Sequence, residues 1–332
     1  MSGVRCINDH VIKSICFLTA AGMSILLTAC GKKPQMAFED LPEGSVYGVT
    51  EIAGGRVEPF SQDLCIVEGK DQSLMEDGKD KDYASAGLFD VNGCDTRFSD
   101  NVFEQLYPAS MTKVMTAIIA MENGSEEDIV TCSENVKITE SGAQLCGFEP
   151  GDSMNLDQAL HALLMYSGND AAVAIAEHFA VSEEAFADMM NAEAKRLGAT
   201  HTHFVNPHGL HNEEHYTTAY DMYLMFNKAI TYEWFQKIIN EKEYTFNYRT
   251  AAGDYKEMTF KSTNLFLKGD VLPPGGVNVI GGKTGTTMAA GNNLVMLSED
   301  ETGRPYISIV MRARERGILY SHMNQLLDKI DE

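Results

Sequence analysis

The chain has 332 residues, and 44% of them are hydrophobic, which is enough to fill a large core in one or two domains. It carries 48 acidic and 26 basic side chains, so its formal net charge is −22 at pH 7. This balance disfavours a nucleic-acid partner, because phosphates must be met by a basic surface. The composition is otherwise that of an ordinary globular protein without repeats or low-complexity segments.

The N-terminus has the organisation of a secretory signal. Arg5 and Lys13 precede the apolar run ICFLTAAGMSILLTA, which ends just before Cys30. This run is too short to span a bilayer but fits the apolar region of a signal peptide. The letters LTAC, which end at Cys30, resemble the lipobox of bacterial lipoproteins, where the peptide is cut before the cysteine and the thiol is lipidated. We therefore predict a signal peptide over residues 1–29 and lipid on Cys30. The alternative is a soluble secreted protein in which Cys30 has no role.

The segment after Cys30 is predicted to be a tether. Residues 30–45 are mostly polar and contain two prolines, and a folded domain follows over residues 46–332. Lipid on Cys30 would anchor this domain to the outer side of the bacterial cell membrane, because no other apolar run is long enough to span it. Four cysteines of the domain allow three disulfide pairings, with buried free thiols as an equal alternative: Cys65, Cys94, Cys132 and Cys146.

Strand patterns occur near both ends of this domain, and helix patterns fill its middle. The segment YASAGLFDVNGCDTRFSDN has two short runs around the turn pair Asn92-Gly93, which indicates a β-hairpin. Residues 292–313 alternate apolar and polar positions around a second turn, and a closing helix follows. Helical spacing with acidic first turns recurs between about residues 120 and 270. We predict an α+β fold, in which an antiparallel β-sheet built from both ends of the chain is flanked by helices and carries a mainly helical insert.

Ser110 and Lys113 lie three residues apart at the predicted start of a helix, so their side chains share one face. A serine hydroxyl becomes a nucleophile when a neighbouring base takes its proton, and a lysine is such a base when burial lowers its pKa. Taken alone, this spacing is common. Its simpler interpretation is an N-cap serine beside a solvated lysine.

Two further segments favour the interpretation of Ser110 and Lys113 as a nucleophile and its base. The stretch IGGKTGTT, residues 280–287, resembles the end of a phosphate-binding loop, but Val277 stands where such a loop needs its first glycine. No helix pattern follows it, so we interpret the stretch as an edge strand, whose free backbone groups can bind an extended peptide. The triplet Ser167-Gly168-Asn169 falls at a break between two helices, where polar side chains can face a cleft.

The order Ser-x-x-Lys, Ser-Asp-Asn and Lys-Thr-Gly is the signature of penicillin-binding proteins and class A β-lactamases, and the chain has all three with Ser-Gly-Asn in the middle. The likeness extends through YPASMTKVMTA, GAQLCGFEPGDSMNLDQALHALLMYSGNDAAVAIAE and FVNPHGLHNEEHYTTAYDM. Over about residues 80–330 the chain resembles a serine-type D-alanyl-D-alanine carboxypeptidase, a low-molecular-mass penicillin-binding protein. The resemblance implies the β-lactamase/DD-peptidase fold.

The resemblance also implies a mechanism. Ser110 would attack the penultimate D-Ala carbonyl of a peptidoglycan stem peptide, and Lys113 would be its base. Ser167 would relay a proton to the leaving D-Ala, and Asn169 would hydrogen-bond the substrate backbone. β-Lactams would acylate the same serine as covalent inhibitors, and neither a cofactor nor a metal takes part.

The predicted edge strand would hold the other end of the substrate. By resemblance, its terminal carboxylate would be bound by strand residues, and the backbone N–H groups of Ser110 and Thr286 would form the oxyanion hole. The substrate-binding positions on this strand would be Lys283, Thr284, Gly285 and Thr286. Some relatives carry His at the position of Thr286, so the substrate preference stays open.

Two further comparisons with the family pattern bear on the activity. Ser-Gly-Asn replaces the Ser-Asp-Asn of class A β-lactamases, and no downstream Glu-x-x-Leu-Asn segment supplies their deacylating glutamate. Both departures disfavour a β-lactamase. Some relatives also bind the substrate carboxylate with an arginine near the last helix, and the sequence does not choose among Arg312, Arg314 and Arg316.

Three other functions are considered. Five histidines over residues 201–215 suggest a zinc hydrolase, but no familiar spacing such as His-Glu-x-x-His is present, and a loop bracing the site is the simpler interpretation. A non-catalytic penicillin-binding lipoprotein would not need the full set of site residues. A DD-endopeptidase would use the same serine, and the sequence does not separate it from a carboxypeptidase.

Overall fold

The computed structural model describes residues 63–69, 71–75 and 81–330. The predicted signal peptide, the lipidation site Cys30 and the tether over residues 30–45 lie outside the described residues. Across the described ranges, no helix is both long enough and apolar enough to cross a bilayer.

The described residues form nine strands and eight α-helices. The strands are β1 Ser85–Asp90, β2 Asp95–Asp100, β3 Ile129–Thr131, β4 Ser153–Asn155, β5 Glu243–Arg249, β6 Tyr255–Lys261, β7 Asn278–Thr287, β8 Gly291–Glu299 and β9 Pro305–Ala313. The helices are α1 Lys113–Asn123, α2 Leu156–His161, α3 Asn169–Phe179, α4 Glu183–Arg196, α5 Ala219–Ala229, α6 Glu233–Asn240, α7 Leu265–Lys268 and α8 Arg316–Leu327.

The main sheet is antiparallel and has the strand order β2-β1-β9-β8-β7. Strands from the two ends of the chain meet where β1 pairs with β9, so the predicted assembly of the sheet from both ends is confirmed. The hairpin around Asn92-Gly93 is β1–β2, and the alternating C-terminal segment is β8–β9. The Lys-Thr-Gly stretch lies on β7, which is an edge strand as predicted.

Alternation along the central strands gives the sheet two apolar faces, because successive side chains point to opposite sides. On β8, Leu294 and Met296 pack with the core beneath α8, whereas Val295 and Leu297 pack with the larger core of the helical layer. The sheet is therefore covered by helices on both faces, and the α+β prediction is confirmed.

Helix α1 lies at the centre of the helical layer. Every residue from Lys113 to Met121 is buried, and the helix contacts α3, α4 and α5. A helix that is apolar all round must be enclosed on all sides, which is what the sequence KVMTAIIAM dictates. The catalytic candidates at its N-terminal end are consequently attached to a fully enclosed helix.

The predicted insert over residues 120–270 is mainly helical but also contains a second sheet, which was not predicted. Its strand order is β3-β4-β5-β6. Strands β3 and β4 have three residues each, too few to show an alternating pattern. Strands β5 and β6 have seven residues each and form a hairpin, and Tyr244, Phe246 and Tyr248 alternate with polar residues on β5, so this half of the sheet carries a local signal that the sequence analysis missed.

The four described cysteines are free thiols, and of the two alternatives that the sequence left open, buried free thiols hold for Cys65 and Cys132, whereas Cys94 and Cys146 are half-buried. Cys65 and Cys132 are buried, and burial raises the pKa of the Cys65 thiol to about 11 and that of Cys132 to about 12. Both thiols are therefore protonated at neutral pH.

Candidate active site

Ser110 lies in a 3-10 turn, Ala109–Thr112, that leads directly into α1. The preceding residue, Ala109, has a φ of 48°, a left-handed conformation that residues with a side chain rarely adopt. The Thr112 hydroxyl stabilises this turn by donating to the Ala109 carbonyl oxygen at 2.8 Å. The strained turn leaves Ser110 half-buried at the floor of a cleft, whereas its neighbours Ala109, Met111 and Thr112 are buried.

The Lys113 amine is fully buried beside Ser110. Its Nζ lies 3.0 Å from Ser110 Oγ, 2.6 Å from Asn169 Oδ1 and 2.7 Å from the carbonyl oxygen of His208. Burial, and secondarily the positive charge of Lys283, hold the pKa of Lys113 well below its usual range. The interpretation of a solvated lysine is therefore wrong.

The protonation state of Lys113 decides the direction of these contacts. A neutral amine has two N–H groups and one lone pair. The two carbonyl oxygens, of Asn169 and His208, can only accept, so they take both N–H groups. In the neutral form, the lone pair would be left for the Ser110 hydroxyl, which is the arrangement that a general base needs.

A second buried lysine supports Ser167. Lys283 on β7 donates to Ser167 Oγ at 2.9 Å and to the carbonyl oxygen of Thr284 at 2.9 Å. Burial lowers the pKa of Lys283 to about 7. Ser167 itself has a left-handed backbone, with φ 71°, at the end of a π-helical turn, Ala162–Tyr166, that follows α2. The structure thus brings together Ser110, Lys113, Ser167, Asn169 and Lys283, as the sequence predicts.

Gly285 lets β7 approach the nucleophile. A Cβ atom at this position would lie 2.6 Å from the carbonyl oxygen of Pro108 and 3.0 Å from the backbone nitrogen of Ser110. Only glycine permits this close contact between the strand and the turn. On either side of Gly285, Thr284 Oγ1 lies 2.9 Å from Thr263 Oγ1, and Thr286 Oγ1 donates to Asn292 Oδ1 at 3.3 Å.

Asp170 fixes one wall of the cleft, a role that the sequence analysis missed. Its buried carboxylate accepts from the backbone nitrogens of Cys146 at 3.0 Å and Gly147 at 2.8 Å. The backbone N–H of Asn169 in turn donates to the carbonyl oxygen of Gln144 at 2.8 Å. An acidic residue in the first turn of a helix is a recognisable signal, but a favourable helix-dipole interaction explains it equally well from sequence.

Two cavities meet at Ser110. The first, which we call the Arg316 cavity, has a volume of about 330 Å³ and is lined by residues that include Ser167, Thr284 and Arg316. The second, which we call the Glu140 cavity, has a volume of about 510 Å³ and is lined by residues that include Glu140 and Asn169. Both also share Gly142, Gln144 and Thr286 as lining residues. Together they form one cleft across the nucleophile.

The structure separates the three arginines that the sequence left undecided. Arg316 lines the first cavity, and its Nη2 donates to the carbonyl oxygen of Thr263 at 3.0 Å. Arg312 and Arg314 line a different depression beside Lys81. Arg316 is therefore the arginine placed to meet an anion next to Ser110 and Thr284.

The histidine-rich segment supports the nucleophile and does not form a metal site. Among the described residues, no group of three or more His, Cys, Asp or Glu side chains is placed to hold a metal ion. Instead, Thr116 Oγ1 donates to the carbonyl oxygen of Pro207 at 2.6 Å, and Lys113 binds that of His208. Gly209 packs so closely on the Ala109 carbonyl group that a side chain there would overlap it.

His215 completes this support from a buried position. Its Nδ1 accepts from the backbone N–H of Val205 at 3.2 Å, so the ring proton must be on Nε2. Nε2 therefore donates to Thr112 Oγ1 at 2.7 Å, and Thr112 donates onward to Ala109. Burial lowers the pKa of His215 to about 3, which keeps the ring neutral. This chain of hydrogen bonds ends at the strained residue before Ser110.

Comparison with known proteins gives a consistent result. The profile of the Peptidase S11 family, described as D-alanyl-D-alanine carboxypeptidase, matches residues 77–315. The chain is 37% identical over 207 residues to D-alanyl-D-alanine carboxypeptidase DacF of Bacillus subtilis, covering 61% of this chain and 50% of the relative. It is 32% identical over 255 residues to D-alanyl-D-alanine carboxypeptidase DacC of Escherichia coli, covering 74% and 58%. The chain thus spans only part of the length of these relatives.

The fold also matches solved structures. The crystal structure of a Streptomyces DD-transpeptidase superimposes with a TM-score of 0.69 at 24% identity, covering 74% of this chain and 96% of that one. This similarity concerns the fold, and it agrees with the β-lactamase/DD-peptidase fold expected from the sequence motifs.

We predict that loss of the His215 hydrogen bonds slows the chemistry more than it weakens binding. His215→Phe keeps an aromatic ring at this buried position but removes both hydrogen bonds, so the turn at Ala109 relaxes and Ser110 moves out of line with Lys113. Misplacement of a reacting group costs about ten- to a hundredfold in rate, so kcat for the reaction at Ser110 should fall by about that factor with KM little changed. His201→Phe, at an exposed position of the same segment, is the control. A rise in KM as large as the fall in kcat would contradict this role. A loss of activity that is explained by partial unfolding of the variant, measured as a lower thermal stability, would contradict it as well.

We also predict that the buried Lys283 makes stability depend on pH. The folded chain releases this proton near pH 7, whereas the unfolded chain holds it until about pH 10.4. The unfolded state therefore binds more protons between these values, and the free energy of unfolding rises with pH in this window. Relative to Lys283→Met, wild-type protein should gain about 2 kcal/mol between pH 7 and pH 9 in urea unfolding. A constant difference between the two proteins would show that Lys283 has an ordinary pKa.

Proposed function

Because the chain belongs to the Peptidase S11 family of D-alanyl-D-alanine carboxypeptidases, we propose that it removes the terminal D-Ala from peptidoglycan stem peptides through an acyl-enzyme on Ser110. The observation that carries this proposal is the buried Lys113 amine, whose Nζ lies 3.0 Å from Ser110 Oγ. A buried base on a cleft-facing serine is the requirement for covalent acyl transfer.

In the proposed acylation step, Lys113 takes the Ser110 proton while Oγ bonds to the carbonyl carbon of the penultimate D-Ala. The carbonyl oxygen then becomes an anion, which the backbone N–H groups of Ser110 and Thr286 stabilise. Each such donor contributes about 3 to 4 kcal/mol in other acyl-transfer enzymes. The close approach of β7 to the Ser110 turn at Gly285 supports this pairing, and both Ser110 and Thr286 line the cleft.

Collapse of this intermediate breaks the peptide bond and releases D-Ala. The leaving nitrogen needs a proton, and we assign the relay to Ser167, whose hydroxyl is held by Lys283 at 2.9 Å. Water then attacks the ester, with Lys113 again as the base, and the shortened peptide leaves. A β-lactam would acylate Ser110 by the same route and thereby act as a covalent inhibitor.

Arg316 favours a carboxypeptidase over an endopeptidase. A terminal D-Ala carries a carboxylate, whereas the corresponding residue within a cross-link does not have to. The guanidinium of Arg316 lines the same cavity as Thr284 and Thr286, next to the leaving side of Ser110. We therefore assign the substrate carboxylate to Arg316 and the two threonine hydroxyls, with Lys283 adding positive potential.

The N-terminal features belong to the same proposal. We propose that residues 1–29 are a signal peptide, that Cys30 carries lipid, and that residues 30–45 connect the lipid to the catalytic domain. The apolar run and the LTAC sequence support this arrangement. It would keep the enzyme on the outer side of the cell membrane, next to its substrate.

The direct test is release of D-alanine from diacetyl-Lys-D-Ala-D-Ala by protein expressed without residues 1–29. We expect wild-type protein to release D-alanine, Ser110→Ala to lose the activity by at least about a thousandfold, and a chelator to have no effect. Activity that survives in Ser110→Ala or disappears with chelator would reject a serine enzyme. A folded wild-type protein that binds penicillin but releases no D-alanine would instead indicate the endopeptidase or the non-catalytic lipoprotein.

A further inference from the structure

The cleft has a basic residue, Arg316, at one end and an acidic residue, Glu140, at the other. Of the described residues that line the Arg316 cavity, Arg316 alone is charged at neutral pH, and it has no carboxylate partner among the described residues. Of those that line the Glu140 cavity, Glu140 is the acidic one. Its backbone carbonyl accepts from Ala143, but no described cation or N–H group binds its carboxylate.

The described contacts of the two histidines of the Glu140 cavity are made with residues other than Glu140. The imidazole of His208 is buried, and burial lowers its pKa, so the ring is neutral near pH 7. Its Nε2 lies 3.4 Å from Glu183, a different carboxylate. His211 packs its ring edge-on against Tyr107 at 4.7 Å between centroids. The Glu140 carboxylate is thus available to a ligand in the cavity.

The polarity of the cleft fixes which end of a substrate enters the Glu140 cavity, if the proposed function is correct. The terminal carboxylate lies at Arg316, and the scissile carbonyl carbon lies on Ser110, where the two cavities meet. The residue before the penultimate D-Ala follows at about 3.8 Å between Cα atoms, so it must enter the Glu140 cavity. A volume of about 510 Å³ is within the range of small-ligand sites and accommodates a long side chain.

We propose that Glu140 is a specificity-determining residue that favours stem peptides whose third residue carries a free side-chain ammonium group, such as lysine or another diamino acid. The ammonium group would pair with the Glu140 carboxylate while Arg316 holds the carboxylate at the other end. Such a substrate matches the charge at both ends of the cleft. The inference rests on the proposed function, because that function sets the direction of the peptide.

The test varies the charge of the peptide side chain and the charge of residue 140 together and compares kcat/KM for each combination. The peptides are Nα-acetyl-Lys-D-Ala-D-Ala with the side-chain amine free, acetylated or succinylated, and the proteins are wild type, Glu140→Gln and Glu140→Lys. Exposed ion pairs have small energies, so we expect wild type to prefer the free amine over the acetylated one by about two- to fivefold in kcat/KM at low salt. This ratio should fall to about one in Glu140→Gln and at high salt. Glu140→Lys should prefer the succinylated peptide.

Glu213→Gln is the matched control, because Glu213 is also exposed but does not line the cavity. It should keep the wild-type ratio. The same ratio in wild type and Glu140→Gln, or a loss of preference in both variants, would overturn the role of Glu140 while leaving the proposed activity intact. Failure of wild-type protein to release D-alanine from any of the peptides would overturn the proposed function and this inference with it.

Discussion

The structure depends on the burial of one amine. Removing the Lys113 side chain from water makes its charged form costly, and this cost turns an ordinary lysine into a base for Ser110. The hydrogen-bond donors of the buried amine are satisfied, because the carbonyl oxygens of Asn169 and His208 accept from its N–H groups. These partners come from widely separated parts of the chain, so the helical layer must be assembled before the base exists.

The surrounding contacts hold the nucleophile where this base can reach it. Ala109 is held in a left-handed conformation by the hydrogen bonds from His215 and Thr112, and Gly285 lets β7 close over the same turn. The second buried lysine, Lys283, lowers the pKa of the first through its charge and holds Ser167 on the opposite side of the cleft. Strain, burial and charge repulsion each reduce stability, and the tightly packed α1 compensates for them.

The sequence predicted the parts of this arrangement that have local signals. Alternation identified the strands of the main sheet, and the three triplets identified Ser110, Lys113, Ser167, Asn169 and Lys283. In the small sheet, β3 and β4 are too short to alternate, whereas the β5–β6 hairpin carries an alternating pattern that was overlooked. The histidine segment was interpreted correctly as a loop bracing the site, but the hydrogen bonds of His215 were not predicted, and Asp170 and Thr112 were missed. These roles arise from contacts between distant segments, and a threonine or histidine in sequence does not indicate which group it will bind. Arg316 could be separated from Arg312 and Arg314 only by the position of α8 relative to the cleft.

The central claim is that Lys113 is neutral when it activates Ser110, and the most direct measurement is the pH dependence of Ser110 acylation by a fluorescent penicillin, with the labelled serine identified by peptide mass spectrometry. If Lys113 is already neutral, the second-order acylation rate should fall on the acid side of neutral pH, where Lys113 takes up a proton. It should not increase between pH 7 and pH 10. A rate that rises about tenfold per pH unit over this range would show that Lys113 is protonated in the resting protein and would contradict the account.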